Sequence, residues 1–115
     1  MAKNRLRNVL VLPGNHDIAQ RMQITRVALG KTQTALCREL GISVQTWNNY
    51  ERGTRRIGLD EALDLCNKIH VTLEWIYRGD PRLIYSDLAD KIKAAQARLN
   101  VEHRPNPGSV SRQRA

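Results

Sequence analysis

Phenylalanine is missing from the 115 residues, and the aromatic share is only 4%. Leu, Ile, Val and Ala must therefore fill whatever interior the chain builds. Cysteine is confined to Cys37 and Cys66, which excludes a disulfide-stapled secreted scaffold and favours a reduced, cytoplasmic chain. No run of 18 or more apolar residues occurs, so no helix spans a membrane. The short stretch Val9 to Leu12 (VLVL) cannot serve as a signal-peptide core, and no small-residue cleavage site follows it. His16, His70 and His103 lack metal-ligand spacing with each other or with the two cysteines. There is no glycine-rich phosphate loop, nucleophile elbow or paired-carboxylate site. The expectation is a protein with no metal site, no cofactor and no enzymatic activity.

What is present in excess is positive charge, a net +8 with a pI near 10.2. Residues 1–16 hold three basic and no acidic groups, 17–80 hold nine and eight, and 81–115 hold seven and three. A near-neutral middle is thus flanked by two basic ends. Such a balance indicates a polyanionic partner, but charge alone leaves DNA, RNA and an anionic membrane equally open.

Hydrophobic spacing reads as helix throughout. Residues 1–14 form a basic arm, in which 9–12 reads as a short strand or hydrophobic strap before the Pro13-Gly14 breaker. Asn15 reads as an N-cap, with Asp17 in the first turn, of a helix running to about Leu29 that buries Ile18, Met22 and Leu29. Gly30 stops it. Thr32 caps a second helix, 33–40, with Leu36, Cys37 and Leu40 inward, ended by Gly41. Ser43 caps a third, 44–51, anchored by Trp47 and Tyr50 and ended by Gly53. A fourth, 59–69, is read with Leu59, Leu63, Cys66 and Ile69 on its core side, and His70 as the helix-ending residue. Thr72 caps a fifth, 73–78. A sixth amphipathic segment, 84–99, carries Leu88, Ile92, Ala95 and Leu99, and 101–115 reads as a disordered basic tail. The domain proper is 15–80, and 81–100 is an appended helix.

The segment TQTALCRELGISVQTWNNYERG, residues 32–53, resembles the Cro/phage-repressor (XRE) family of helix-turn-helix proteins. The motif elements are Thr32-Gln33, the small Cys37, the turn residue Gly41 and the closing Glu51-Arg52-Gly53. The likeness extends from about residue 16 to 79, through Leu59-Asp60-Glu61-Ala62-Leu63 and Leu73-Glu74-Trp75-Ile76. It implies an all-α fold: a five-helix Cro/repressor-like domain, here with an additional C-terminal helix. Departures are Lys31 and Thr25 at positions usually apolar, Gly58 in place of a Ser or Thr cap, and Trp47 where a smaller residue is usual.

The resemblance also implies a site. A major groove about 12 Å wide admits one short helix that is anchored on one side and polar on the other. The third helix meets this with Val44, Gln45, Asn48 and Asn49 outward. Amides match adenine N6 and N7, and Val44 suits a thymine methyl. Val44, Gln45 and Asn49 match the family's base-reading positions, with Asn48 more peripheral; an ordinary polar helix face is the plainer alternative. Thr32 and Gln33 fit a phosphate clamp at a helix start. Ser43 is a cap with a possible second role on phosphate. Arg52, Arg55 and Arg56 would bind phosphates, the alternative being a solvated charge run. Arg26 and Glu51 match the family's buried ion pair.

The expected function is transcriptional regulation, more often repression, by a homodimer on a palindromic operator in double-stranded DNA. A toxin-binding antitoxin with the same fold is the nearest alternative. A protein-interaction adaptor is less favoured, because protein interfaces prefer aromatic and aliphatic anchors. Protein partners such as a toxin or the transcription machinery stay open. The apolar stripe of 84–99 needs a cover, and a second subunit is the favoured one.

Overall fold

Leu36, Cys37 and Leu40 recur at one helical face, as do Trp47 and Tyr50, and each set is buried to 3% exposure or less. This period of 3–4 residues drives the chain into amphipathic helices that bury one stripe each. The computed structural model describes residues 13–103, and the side chains of 15–100. The arm segment 1–12 with its 9–12 strap, and the tail residues 104–115, lie outside the described residues. Element order is α1 (Pro13–Ala28), α2 (Gln33–Leu40), α3 (Val44–Arg52), α4 (Leu59–Ile69), a π-helical turn (Glu74–Arg78) and α5 (Ser86–His103). No strand occurs among the described residues.

The central member is α1, which packs against α3, α5 and the π turn. It begins two residues before the cap expected at Asn15, because proline is preorganised for a first helical position. Asn15 is instead inside α1, and its amide nitrogen donates to the carbonyl of Gly53. Gly53 sits at φ 79°, and a Cβ there would approach Ala19 Cβ at 3.6 Å. Glycine thus ends α3 in the left-handed conformation, and the 3.6 Å approach is itself ordinary contact.

The expected caps of α2 and α3 form. Thr32 Oγ1 accepts from the Ala35 amide at 3.1 Å, and Ser43 Oγ from the Thr46 amide at 3.0 Å. Gly41 closes α2 in the left-handed region. Three residues, Gly41, Ile42 and Ser43, then turn the chain. Lys68 on α4 donates to the Leu40 carbonyl at 2.9 Å, satisfying one of the unpaired carbonyls at the end of α2. The thiol of Cys37 donates to the Ser43 carbonyl at 3.7 Å. Burial pushes the Cys37 and Cys66 thiols above their usual range, so both stay protonated, as core residues do.

In α4 the expected stripe holds at Ile69 and in part at Cys66, but not at Leu59 and Leu63. Leu59 and Leu63 are exposed, at 57% and 44%, whereas Ala62, Leu65 and Ile69 are buried and Cys66 is half-buried. Both choices have helical spacing, so periodicity could not separate them. The fold buries the set that contains the small Ala62, at 0% exposure. His70, the helix-ending residue, takes φ 66° without glycine.

The expected fifth helix, 73–78, is a π turn one residue shorter. Thr72 caps it, its hydroxyl accepting from the Trp75 amide at 3.1 Å. Its wide backbone buries the adjacent Trp75 and Ile76 together, at 2% and 1% exposure. Arg21 Nε donates to the Ile76 carbonyl at 2.9 Å, and the Arg21 guanidinium lies over Gly79, where a Cβ would meet Nη1 at 3.1 Å. The buried Thr25, an oddity in the sequence, is the acceptor for the Trp75 indole N–H at 2.8 Å and donates to the Arg21 carbonyl at 2.7 Å. Tyr77 donates its hydroxyl to the Ile57 carbonyl at 2.8 Å.

The sixth segment begins at Ser86 rather than Ile84 and runs on to His103. Ile92, Ala95 and Leu99 are buried in the same core as α1, with Leu88 partly so. The stripe expected to meet a second subunit is therefore covered by α1 of its own chain.

Thr25→Val keeps the shape of the side chain but strands the Trp75 indole N–H. An unsatisfied buried donor costs about 1–3 kcal/mol, so the denaturant midpoint should fall with the slope unchanged. A midpoint equal to the parent's would show that the bond contributes nothing.

Candidate nucleic-acid interface

The site forms where α3 is anchored by one face and leaves the other free. Trp47 is fully buried and Tyr50 nearly so, their rings meeting edge to face at 6.1 Å. Val44 and Gln45 are exposed, and Asn48 and Asn49 are half-buried. These four residues, predicted as the reading face, share the outer side of one helix.

The orientation of that helix is set by a single carboxylate. Glu51 Oε2 accepts from Arg26 Nε at 2.6 Å and from the Trp47 indole N–H. Glu51 Oε1 accepts from Arg26 Nη2 at 3.2 Å and from Gln33 Nε2 at 3.2 Å. Arg26 also donates to the Lys31 carbonyl at 3.0 Å, holding the α1–α2 turn. One carboxylate thus joins α1, α2 and α3, with side chains exposed by only 17% for Arg26 and 7% for Glu51. Trp47 fits here because its indole N–H needs a buried acceptor, and Glu51 one turn later supplies it.

Gln33 lies at the start of α2, and its amide also donates to Asn48 Oδ1 at 3.3 Å. It braces α3 from the side, which leaves Asn48 partly engaged inside the protein. Asn49 is held as well: Thr54 Oγ1 donates to its side-chain oxygen at 3.3 Å and to its carbonyl at 3.2 Å. Thr32 and Ser43 are exposed caps on the same side as the start of α2 and α3.

Arg52, Arg55 and Arg56 are exposed and have no acidic partner among the described residues. Arg56 leans back, its Nε 3.4 Å from Asn15 Oδ1. Asn15 therefore ties the loop after α3 to the start of α1 through both Gly53 and Arg56, a role that sequence reasoning missed. The partners lie 38 and 41 residues away, and no local pattern reports them. Thr54, five residues after Asn49, is a second contact that sequence reasoning missed. Lys31, out of place as an apolar position, pairs with Glu39 at 2.6 Å. No group of His, Cys, Asp and Glu suited to a metal ion occurs among the described residues, and none of their helices is long and apolar enough to cross a membrane.

Two short helices joined by a three-residue turn, the second anchored by aromatics and polar outside, define a helix-turn-helix. Residues 22–76, just under half of the chain, match the model of a helix-turn-helix family of the Cro/C1 (XRE) type. Over 69 residues the chain is 35% identical to an uncharacterized transcriptional regulator in the ATPase CF(0) region of Rhodospirillum rubrum, covering 56% of this chain and 64% of that protein. It is 28% identical over 69 residues to uncharacterized HTH-type transcriptional regulators of Sinorhizobium medicae (strain WSM419) and Rhizobium meliloti (strain 1021), covering 60% of this chain and 50% of each. The chain thus spans between half and just under two thirds of these relatives' lengths. No solved structure matches it significantly.

Removing Arg26 leaves the Glu51 carboxylate with only its Trp47 and Gln33 donors. Arg26→Ala should lower stability by about 2–3 kcal/mol, less than the ~3–5 of a fully buried pair that loses one member. Chemical denaturation measures this. A loss under about 0.5 kcal/mol would place the pair among weak surface bridges.

Proposed function

We propose that this protein is a sequence-specific transcriptional regulator, acting as a repressor, that reads double-stranded DNA through α3 in the major groove. The observation that carries this reading is the two-sided character of α3. Its inner face is clamped by Trp47, Tyr50 and the Glu51 network, while Val44, Gln45, Asn48 and Asn49 line its outer face. Preorganisation of this kind lowers the entropy lost when a helix enters a groove. Gln45 and Asn49 read adenine edges, and Val44 meets a thymine methyl. Asn48, engaged by Gln33, contributes less. Thr32, Gln33 and Ser43 meet backbone phosphates at two helix starts, and Arg52, Arg55 and Arg56 neutralise phosphates beside them. The helix-turn-helix family match and the relatives' names support the same reading.

The regulator acts as a homodimer on a palindrome, with half-sites about one helical turn, roughly 34 Å, apart. Because α5 is covered within its own chain, subunit contact falls to other apolar surface. Among the described residues, Leu59 and Leu63 on α4, and Leu83 and Tyr85 before α5, are the large exposed apolar side chains outside the reading helix.

Selection from a random DNA pool should enrich a palindromic sequence, and failure to enrich any motif would refute sequence reading. On the enriched site, Gln45→Ala or Asn49→Ala should cost about 1–3 kcal/mol, with little change on random DNA. Equal losses on both DNAs would remove them from base recognition. Arg55→Ala or Arg56→Ala should weaken binding to every sequence and reduce the salt slope by about one unit. An unchanged slope would remove them from the phosphate contacts.

A further inference from the structure

We propose that Arg98, on the appended helix α5 and outside the matched segment 22–76, is an additional phosphate-binding residue. This rests on the DNA-binding reading above and extends the contact surface past the helix-turn-helix domain itself.

The placement of α5 carries the inference. It packs along α1 so that its last described turns reach the seam between the start of α2 and the end of α3. Two clefts define that position. In one, of about 350 Å³, Arg98 shares the walls with Gly30, Lys31 and Thr32 of the α1–α2 turn. In the other, of about 210 Å³, Leu99 and Asn100 stand beside Glu51 and Arg52 at the end of α3. Residues 98–100 therefore line clefts beside two of the helix ends whose exposed polar groups are assigned to DNA, the start of α2 and the end of α3. Thr32 is the N-cap of α2, an eight-residue helix, so the walls of the first cleft combine a helix start with a guanidinium.

The charge state of the first cleft singles out Arg98. Arg26 is taken up by Glu51, and Lys31 by Glu39. On the adjoining stretch of the α1–α5 groove, Lys91 pairs with Asp87 at 3.5 Å. Arg98 is exposed and makes no hydrogen bond or ion pair among the described residues. The one acid within four residues of it in sequence is Glu102. An exposed pair with Arg preceding Glu is the weaker order on a helix and yields readily to a phosphate, which a guanidinium binds in bidentate fashion. Arg98 is thus a cation whose side chain is available at the edge of the proposed backbone clamp.

Lys93 supplies the internal control. It lies five residues earlier on the same helix, roughly 140° around its axis, is exposed, and lines neither cleft. The full chain, its Arg98→Ala variant and its Lys93→Ala variant would be titrated with a random-sequence duplex of about 30 base pairs at ~50–200 mM salt. Arg98→Ala should reduce the slope of log affinity against log salt by about 0.9, the value of one lost phosphate contact. Affinity at the lowest salt should fall about threefold to tenfold, and Lys93→Ala should leave the slope unchanged. A parental slope for Arg98→Ala overturns the assignment while leaving the DNA-binding reading standing. An equal loss in Lys93→Ala overturns it too, since net charge would then explain both. If the parent protein binds no duplex, the DNA-binding reading fails, and this contact fails with it.

Discussion

The geometry of the helix-turn-helix depends on how one buried carboxylate is satisfied. A carboxylate exposed by only 7% is costly to bury unless its oxygens are hydrogen-bonded. Glu51 takes two bonds from Arg26, one from Trp47 and one from Gln33. These donors come from α1, α3 and α2 in turn, so satisfying the charge fixes the mutual angles of all three. A hydrophobic contact is non-directional and would tolerate rotation of α3 about its own axis. The bidentate guanidinium does not. The pair therefore contributes orientation of the outer face as much as stability.

Around that centre, α1 acts as the scaffold on which every other part is placed. Its middle buries Ile18, Met22 and Thr25, and its start reaches the loop after α3 through Asn15. It also packs against the π turn and α5. Two of the departures from the family pattern, Thr25 and Trp47, prove to be matched to partners. Thr25 accepts the Trp75 indole N–H, and Trp47 donates to Glu51. Each polar atom introduced into the core has its partner, which is why the substitutions are compatible with the fold. Thr54 and Asn15 act similarly at the surface, steadying Asn49 and Arg56 and so limiting the conformations open to the proposed contact face.

The sequence by itself determined the helices that carry the site, because caps, glycine stops and apolar spacing are local signals. Thr32, Gly41, Ser43 and Gly53 delimit α2 and α3 within one residue of expectation, and Trp47 and Tyr50 leave one outward face. The resemblance at Thr32-Gln33 and Glu51-Arg52-Gly53 named the fold class and the Arg26–Glu51 pair. Tertiary structure alone decided what depends on distant partners. Periodicity allowed either Leu59 and Leu63 or Ala62 and Leu65 to join Ile69 on the inner face of α4, and only the folded chain buries the second pair. Asn15 looked like a cap until Gly53, 38 residues away, supplied its bond. The stripe on α5 required a cover, but only the packing of α1 shows that its own chain provides it. Local patterns specify which atoms need burial or a partner; only the folded chain specifies which distant atoms meet that need.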